Sequence, residues 1–425
     1  MNKPTLALIG PIFSVAGYGK HTRLIAQALL ALDKYDLQII PTKWGDTPQT
    51  ALNPNEPSHQ PILQRLVQGL QSPPDVSIQV SLPTDFQKIG KYSIGVSAMT
   101  EANILPEGML KGSNNADLVI VPSNFSKDVL TQTVIEKREN GTNRLIESLK
   151  FNGTCEVLFE GVDTTIYNKS NTTKPIIDEL NQIPEDWAYL FVGHWLDGRM
   201  GQDRKDVGML VKMFFETFKG KKKTPALVLK TSGAGFSNVE RDRIISKIQE
   251  IQEGMDDTKG KLPNVYLLNG ELSDSEMNTL YNHPKIKAMV TFTKGEGYCL
   301  PLSEFATTGK PILASNYSGH LDFLHPEMTI LLPGSLTNID PSAANEWIPK
   351  EGQWFTVNYP MAGQLMKDVF ENYPKHLERS RKLPKHIKDN FSLETMTGRL
   401  GELLEKYVPQ QPKQIKLKLP ELKKY

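Results

Sequence analysis

Two glutamates stand eight residues apart in the stretch Glu296-Gly-Tyr-Cys-Leu-Pro-Leu-Ser-Glu304, shortly after an apolar run. Because proline is favoured in the first turn of a helix, Leu300 and Pro301 predict a helix start, with Glu304 one turn inside it. A carboxylate in that place can accept hydrogen bonds from a diol, as acidic residues do for the ribose of nucleotides. The stretch therefore predicts a ligand site. The alternative is an ordinary connection with two surface glutamates.

Positive charge is concentrated after another apolar run, 189–193. Arg199 is followed by Asp203-Arg-Lys-Asp206, which places Arg204 and Lys205 side by side. A cation can stabilise the negative charge that develops on a phosphate as the bond to it breaks. A phosphate site is therefore one interpretation of this segment, and a solvent-exposed loop of mixed charge is the other.

A glycine-rich segment follows the first apolar run of the chain. It contains Gly17 and Gly19 and precedes a helical pattern over about 21–32. Glycine lets the backbone approach a ligand closely, and the start of a helix attracts negative charge. Many α/β proteins have such a loop, so it indicates a ligand site only in combination with the two glutamates.

The rest of the chain alternates short apolar runs with helical periodicity, which is typical of a parallel α/β fold. The predicted strands of the first half are 6–9, 37–40, 76–80, 94–97 and 118–122, with a helix over 125–133 capped by Ser123. The second half has predicted strands 189–193, 226–230, 265–268, 288–292 and 311–314, and helices 207–218 and 239–251. A polar stretch, 168–184, is predicted as a linker. We therefore expect α/β domains over residues 1–180 and 181–390, then a helix (393–407) and a basic tail within 391–425.

Composition fits a globular protein of two or three domains, with 425 residues of which 39% are hydrophobic and 23% are charged. No apolar run approaches the roughly 20 residues that span a bilayer, and we expect a cytoplasmic location. The cysteines, Cys155 and Cys299, lack C-x-x-C spacing, and no histidine pair has the i, i+4 spacing of a helical zinc motif. We therefore expect neither a disulfide framework nor a bound metal or cofactor.

The stretch around the two glutamates resembles the donor-binding motif of retaining GT-B glycosyltransferases of family 4, which reads E-G-F-G-L-P-x-x-E-A and then G-x-P-V-I-A-S. The positions that match it are Glu296, Gly297, Leu300, Pro301, Glu304, Gly309 and Pro311. Tyr298 and Cys299 replace the usual Phe-Gly, and Phe305 replaces alanine. The resemblance implies a GT-B fold, in which two Rossmann-like domains face a cleft and a C-terminal helix crosses back. It also implies metal-independent sugar transfer, with retention, from a nucleoside-diphosphate sugar.

The resemblance further implies roles for individual residues. Glu304 would hold the ribose, and Glu296 would lie near the sugar hydroxyls. The amides between them, which would line the sugar and diphosphate, belong to Gly297, Tyr298, Cys299 and Leu300, and Pro301 completes the donor-binding stretch. The loop of Gly17 and Gly19 would contact the donor phosphate.

For the leaving phosphate, Lys205 matches the family lysine. The partner arginine stays open between Arg204 and Arg199, since His194 occupies its usual place. Glu101 and His21 are expected on the acceptor side. For His21, an ordinary core or surface histidine is the alternative.

Segments spread from about residue 9 to 330, among them G-Y-G-K-H-T-R, T-K-W-G-D-T-P and D-R-K-D-V-G, resemble glycosyltransferases of tailed bacteriophages. Some members of that group add glucose or arabinose to hydroxymethylcytosine in DNA. The resemblance implies a UDP-sugar donor and a DNA acceptor, in the host cytoplasm if the chain is phage-encoded. The net charge of +1 neither requires nor excludes DNA, and the basic stretches 219–223 and 413–425 fit either phosphate contacts or solvated surface. A glycan or small-molecule acceptor and a non-catalytic nucleotide-sugar or DNA-binding module remain alternatives.

Overall fold

The computed structural model describes residues 3–170, 178–196, 198–233, 235–255 and 260–409. The predicted basic tail, 413–425, lies outside these ranges, and so does part of the predicted linker. In the part of the chain that the structure describes, every helix is too short or too polar to cross a lipid bilayer.

The first half of the chain contains one six-stranded parallel sheet in the order β2-β1-β3-β4-β5-β8. Between the fifth and sixth of its strands the chain forms an antiparallel hairpin, β6–β7. The strands are β1 (Thr5–Gly10), β2 (Asp36–Pro41), β3 (Val76–Val80), β4 (Tyr92–Val96), β5 (Leu118–Val121), β6 (Val134–Arg138), β7 (Leu145–Lys150) and β8 (Cys155–Val157). The central strands are apolar and buried because a parallel sheet is covered on both faces.

Four α-helices belong to this half: α1 (Gly17–Leu32), α2 (Gln60–Leu63), α3 (Glu107–Ser113) and α4 (Asn124–Gln132). The Ser123 hydroxyl accepts a hydrogen bond from the Ser126 amide at 3.2 Å, which confirms the predicted N-cap. Helix α1 begins four residues earlier than predicted, so both glycines of the loop lie in its first turn. The low helix propensity of glycine hid this turn in the sequence pattern.

The second half contains another six-stranded parallel sheet, in the order β11-β10-β9-β12-β13-β14. Its strands are β9 (Ala188–His194), β10 (Ala226–Ser232), β11 (Val265–Leu268), β12 (Ile286–Val290), β13 (Ile312–Ser315) and β14 (Ile330–Leu332), and a hairpin follows, β15 (Gly334–Asn338) and β16 (Gln353–Val357). Its helices are α5 (Asp178–Gln182), α6 (Val207–Phe218), α7 (Asn238–Glu253), α8 (Asp274–Asn282), α9 (Leu300–Ala306), α10 (Tyr359–Glu371), α11 (Tyr373–Ser380) and α12 (Leu383–Asn390). This strand order is that of the Rossmann fold.

The last described helix, α13 (Leu393–Tyr407), returns to the first half. A β-carbon on Gly401 would lie 3.0 Å from the Leu32 side chain of α1, so the two helices pack closely there. Lys406 Nζ lies 3.1 Å from a carboxylate oxygen of Glu156, near the end of the first sheet. The predicted arrangement of two doubly wound sheets with a returning C-terminal helix is therefore confirmed.

Some elements differ from the prediction. The hairpins β6–β7 and β15–β16 were not predicted, and the first of them is mostly exposed, so it lacks the buried alternation that marks a strand. The stretch predicted as a linker contains the short helix α5, and its residues 171–177 lie outside the described residues. The domain boundaries at residues 180 and 390 stay predictions.

Candidate active site

The topology of the second sheet brings the loops after β9 and β12 together. These strands are neighbours, and the chain order reverses between them. Ligands of open α/β sheets bind at such a switch point, beyond the carboxyl ends of the strands. Arg204 and Lys205 follow β9, and Glu296 follows β12. A backbone hydrogen bond of 2.8 Å, from the Lys294 amide to the Arg204 carbonyl, joins the two loops.

Glu296 is buried and held by positive charge. Only 5% of its surface is exposed. Lys205 Nζ donates to Oε1, Arg204 Nη1 lies 3.4 Å from Oε2, and the Thr293 hydroxyl donates to Oε1 at 2.7 Å. Burial by itself raises the pKa of Glu296, but the two cations outweigh burial and hold that pKa at about 2. The side chain is therefore a carboxylate at neutral pH.

Arg204 links this site to the first half of the chain. Its Nη1 lies 3.0 Å from Oε1 of Glu101, which follows β4. A β-carbon on Gly295 would lie 2.2 Å from the Glu101 carbonyl oxygen, so the two halves touch at this point. Arg199, the other arginine candidate, is exposed on the same loop. The geometry therefore pairs Arg204, rather than Arg199, with Lys205.

A buried ion pair supports the basic loop from beneath. Lys294 Nζ lies 3.2 Å from Oδ2 of Asp206, and both side chains are almost completely buried. The Tyr359 hydroxyl donates to the same oxygen at 2.7 Å. Because Asp206 directly follows Lys205, this pair anchors the lysine backbone. Sequence reasoning missed Lys294, since the charge pattern alone does not distinguish a buried lysine from a surface one.

Glu304 lies on α9, which begins at Leu300 as predicted. Only 3% of its surface is exposed. Tyr281 donates to Oε2 at 3.1 Å, and Lys20 Nζ donates to Oε1. Burial raises the pKa of Glu304, while Lys20 opposes that rise. Lys20 comes from α1 in the first half, and sequence reasoning did not single it out.

The two glycines at the start of α1 have different surroundings. A β-carbon on Gly19 would lie 2.0 Å from the Ser14 carbonyl oxygen, so only glycine fits there. A β-carbon on Gly17 would meet no described atom within 4 Å. The residue before the helix, Ala16, has no side-chain acceptor to cap the first amides. The start of α1 at Gly17 is therefore free to accommodate a ligand, whereas Gly19 is required for packing.

The residues that differ from the family motif pack mainly beneath the loop that joins β12 to α9. Tyr298 is buried with its ring 4.8 Å from that of Phe323, centroid to centroid. Phe305 is also buried, and it packs edge-on against Tyr281 at 5.6 Å. Cys299 is partly exposed, and Leu300 and Pro301 form the first turn of α9. Phe305 thus supports the tyrosine that binds Glu304.

Strained backbone is concentrated around this site. Four non-glycine residues with positive φ lie in or beside the loops described above: Met99 (62°), Asp206 (53°), Cys299 (80°) and Ser318 (78°). The Ser318 hydroxyl accepts the Glu296 amide at 2.9 Å. Such conformations cost on the order of 1–3 kcal/mol each and cluster at functional sites.

His21 lies inside the protein, beside an acid that sequence reasoning missed. Its Nδ1 is 3.3 Å from Oε1 of Glu160, in the segment after β8. Burial lowers the pKa of His21 to about 4. Burial, together with the charge of Glu304, raises the pKa of Glu160 to about 8. At neutral pH the pair is therefore mainly a neutral imidazole beside a protonated carboxyl group.

The described residues contain no group of three or more histidine, cysteine, aspartate or glutamate side chains arranged to hold a metal ion. Positive charge at the site comes from Arg204, Lys205 and Lys20. The arrangement can therefore bind an anionic group at the basic pair and hydroxyl groups at the two buried carboxylates.

Comparison with known proteins identifies the fold. No protein-family model matches the chain, and no curated protein sequence matches it. Sucrose-phosphate synthase from Thermosynechococcus elongatus is similar in structure, with a TM-score of 0.61 at 14% identity over 95% of this chain and 99% of that one. HepE from Anabaena, solved with UDP-glucose, has a TM-score of 0.60 at 11% identity over 95% and 100%. A glycosyltransferase from Rickettsia africae has a TM-score of 0.59 at 14% identity over 97% and 100%.

These likenesses extend over nearly the whole chain, and at such low identity they concern the fold. The protein has the GT-B fold, as the motif around Glu296 and Glu304 led us to expect. Both glutamates lie where the two sheets of that fold meet.

Proposed function

We propose that this protein is a retaining GT-B glycosyltransferase that uses a nucleoside-diphosphate sugar, most directly a UDP-sugar. The observation that carries the proposal is the pairing of Arg204 and Lys205 with buried Glu296 at the switch point of the second sheet. A phosphate group that leaves a sugar needs such preorganised positive charge. UDP is supported by the complex of HepE with UDP-glucose, which has the same fold.

In this proposal the two carboxylates bind different parts of the donor. Glu304 accepts hydrogen bonds from the ribose, and Glu296 accepts them from hydroxyls of the sugar. The open start of α1 at Gly17 receives the diphosphate, to which the first amides of that helix can donate. The spacing of the motif supports this division, because both acids belong to the one loop and helix that follow β12.

The chemistry breaks the bond between the anomeric carbon and the phosphate oxygen, and the electron pair stays with that oxygen. Arg204 and Lys205 stabilise the new charge, so the step as proposed requires no metal ion. A bond forms between the anomeric carbon and the acceptor oxygen, and the acceptor proton passes to the leaving phosphate. Glu296 suits charge stabilisation better than proton abstraction, since a carboxylate whose pKa is about 2 is a weak base.

For the acceptor we propose 5-hydroxymethylcytosine in DNA, receiving a glucosyl or arabinosyl group. Support comes from the resemblance of the segments around Lys20, Trp44 and Lys205 to phage enzymes of that kind. Such an enzyme would flip the base out of the duplex. The basic stretch 219–223 does not line the site, because it follows α6, whose 12 residues place it about 18 Å from Lys205.

Two rivals follow from the same site. A glycan or small molecule is the alternative acceptor, and Glu101, which follows β4, is then the residue that would contact it, since His21 is buried. A non-catalytic module that binds nucleotide sugars or DNA is the alternative of another class. It is disfavoured because the basic pair beside buried Glu296 is suited to the stabilisation of a leaving phosphate, which binding alone does not need.

The test is a panel of UDP-sugars incubated with and without hydroxymethylcytosine DNA. UDP release is followed, and the nucleosides are then analysed by mass spectrometry. We expect UDP release and a mass gain of one hexose or pentose on the modified base. UDP release without a DNA product would retain the enzyme and reject the DNA acceptor. Tight UDP-sugar binding without any release would support the module instead.

A further inference from the structure

The side chain of Lys20, on α1 in the first half of the chain, contacts the carboxylate of Glu304 in the second half. Besides its hydrogen bond to Oε1 of Glu304, its Nζ lies 2.9 Å from Oδ1 of Asp274 on α8 and 2.8 Å from the Tyr167 hydroxyl. The lysine side chain is 19% exposed and that of Glu304 only 4%. A charge so well buried is costly unless it is paired.

The other groups around Glu304 do not offer that pairing. Asp274 and Tyr281 face it from α8, and Tyr167 and Glu160 interact with it from the segment after β8. Asp274 disfavours the charged form of Glu304, and so does burial. Lys20 is the cation that contacts Glu304 and favours its charged form.

The two contacts also leave acceptor positions on the carboxylate for the hydroxyls of a ribose. An ionised carboxylate has about four acceptor positions, two on each oxygen. Lys20 occupies one on Oε1 and Tyr281 occupies one on Oε2. One position on each oxygen therefore remains for the two hydroxyls of a ribose, and a protonated Glu304 would lose one of them.

We propose that Lys20 is a positioning residue of the donor site, which acts across the two halves to keep Glu304 ionised and oriented for the ribose hydroxyls. This inference rests on the proposed function of Glu304. It predicts that Lys20 influences nucleotide affinity in a pH-dependent way. A lysine with only a structural role would change affinity by the same factor at every pH.

The sign of the effect follows from the charges. Removal of Lys20 removes the group that opposes protonation of Glu304, so the variant should need a higher pH to ionise that carboxyl group. Removal of the negative charge of Asp274 should have the opposite effect and extend binding to lower pH. These two variants therefore shift the pH profile in opposite directions, which general damage to the fold cannot do.

The experiment is calorimetric titration of UDP into the 425-residue protein between pH 6 and pH 9. The variants are Lys20→Met, Lys20→Arg, Asp274→Asn and Glu304→Gln, with Lys34→Met as the matched control, because Lys34 is an exposed lysine that follows the same helix and pairs with Glu405. At pH 6 we expect Lys20→Met to bind UDP about tenfold more weakly than the wild type. This difference in affinity should disappear by pH 9. Lys20→Arg should bind UDP nearly as tightly as the wild type does. Asp274→Asn should keep its affinity for UDP down to a lower pH than the wild type.

Two results would overturn the inference. One is a Lys20→Met variant with wild-type affinity while Glu304→Gln binds weakly, which would leave the proposed function intact. The other is a pH-independent loss with no opposite shift in Asp274→Asn. A wild-type protein that binds no UDP, or a Glu304→Gln variant that binds it normally, would instead refute the proposed role of Glu304 and the inference that rests on it. Should Lys20→Met fail to fold, Asp274→Asn and Lys20→Arg still decide the question.

Discussion

Replacement of Lys205 by methionine separates the charge of this side chain from its packing. Methionine keeps an unbranched apolar stem but carries no ammonium group, so the variant loses the ion pair with Glu296. Glu296 keeps two partners, because Arg204 lies 3.4 Å from Oε2 and Thr293 donates to Oε1 at 2.7 Å. The buried carboxylate is therefore not left alone, and the fold should survive.

The expected loss is larger for turnover than for stability. Removal of one preorganised donor from a site of developing negative charge costs about 10²–10³ in rate, or roughly 3–4 kcal/mol. Removal of one partner from an isolated buried ion pair costs about 3–5 kcal/mol of the free energy of unfolding. Since Arg204 and Thr293 still bond to Glu296, we expect a loss of only about 1–2 kcal/mol here.

The assay follows UDP release from a saturating UDP-sugar, alongside urea unfolding of the same preparations. Lys212→Met is the matched control, because Lys212 is a half-exposed lysine of α6 that lies 3.9 Å from Glu216 one turn away. The control should change neither turnover nor stability by much. A folded Lys205→Met variant whose turnover stays within about twofold of the control would refute the role of this lysine at the leaving phosphate.

Three further predictions concern backbone space and burial. Gly19→Ala should lower the free energy of unfolding by about 2 kcal/mol, because its β-carbon would overlap the Ser14 carbonyl. Gly17→Ala, in contrast, should unfold no more easily than the wild type, but it should bind UDP less tightly in a titration. Cys299→Gly should preserve or raise stability in urea, since its φ of 80° costs a residue with a β-carbon about 1–2 kcal/mol, and a clear loss would contradict this. Glu160→Gln should stabilise the protein more at pH 8 than at pH 5. The native pKa of Glu160 is about 8 and its ordinary value is 4.5, so the unfolded chain releases this proton first and native stability falls as the pH rises between them. Equal gains at both pH values in urea unfolding would contradict that assignment.

Local sequence pattern predicted the framework of the site well. The apolar runs marked five of the six strands in each sheet, whereas β8 and β14 were not predicted. The leucine–proline pair marked the start of α9 at Leu300. Since Glu296 and Glu304 lie only eight positions apart in sequence, their position after β12 follows from the strand and helix pattern alone. The returning helix α13 was likewise visible in its apolar periodicity.

The partners of these residues were not predictable in the same way. Lys20 and Glu304 are 284 positions apart, and only the packing of α1 against the second half brings them together. Similarly, Arg204 and Arg199 look equivalent as sequence, but the buried pair beneath Lys205 orients the loop so that Arg204 bonds to Glu296. Long-range contacts of this kind depend on how whole elements pack, which no short window of sequence contains.

Substitutions within the family motif also needed the structure for their interpretation. Tyr298 and Phe305 stand where the resemblance implies contacts near the donor sugar. Both rings are instead packed in the interior, against Phe323 and Tyr281. Cys299 is the substituted position that retains some exposure, so it is where a change should affect donor choice most directly.

The central claim is that the site between the two sheets holds a nucleoside-diphosphate sugar. A crystal structure of the protein with UDP-glucose tests it most directly. We expect the diphosphate within hydrogen-bond distance of Arg204 and Lys205 and the ribose hydroxyls on Glu304. A nucleotide bound elsewhere on the protein, or bound here in the reverse direction with its ribose at Lys205, would contradict the account.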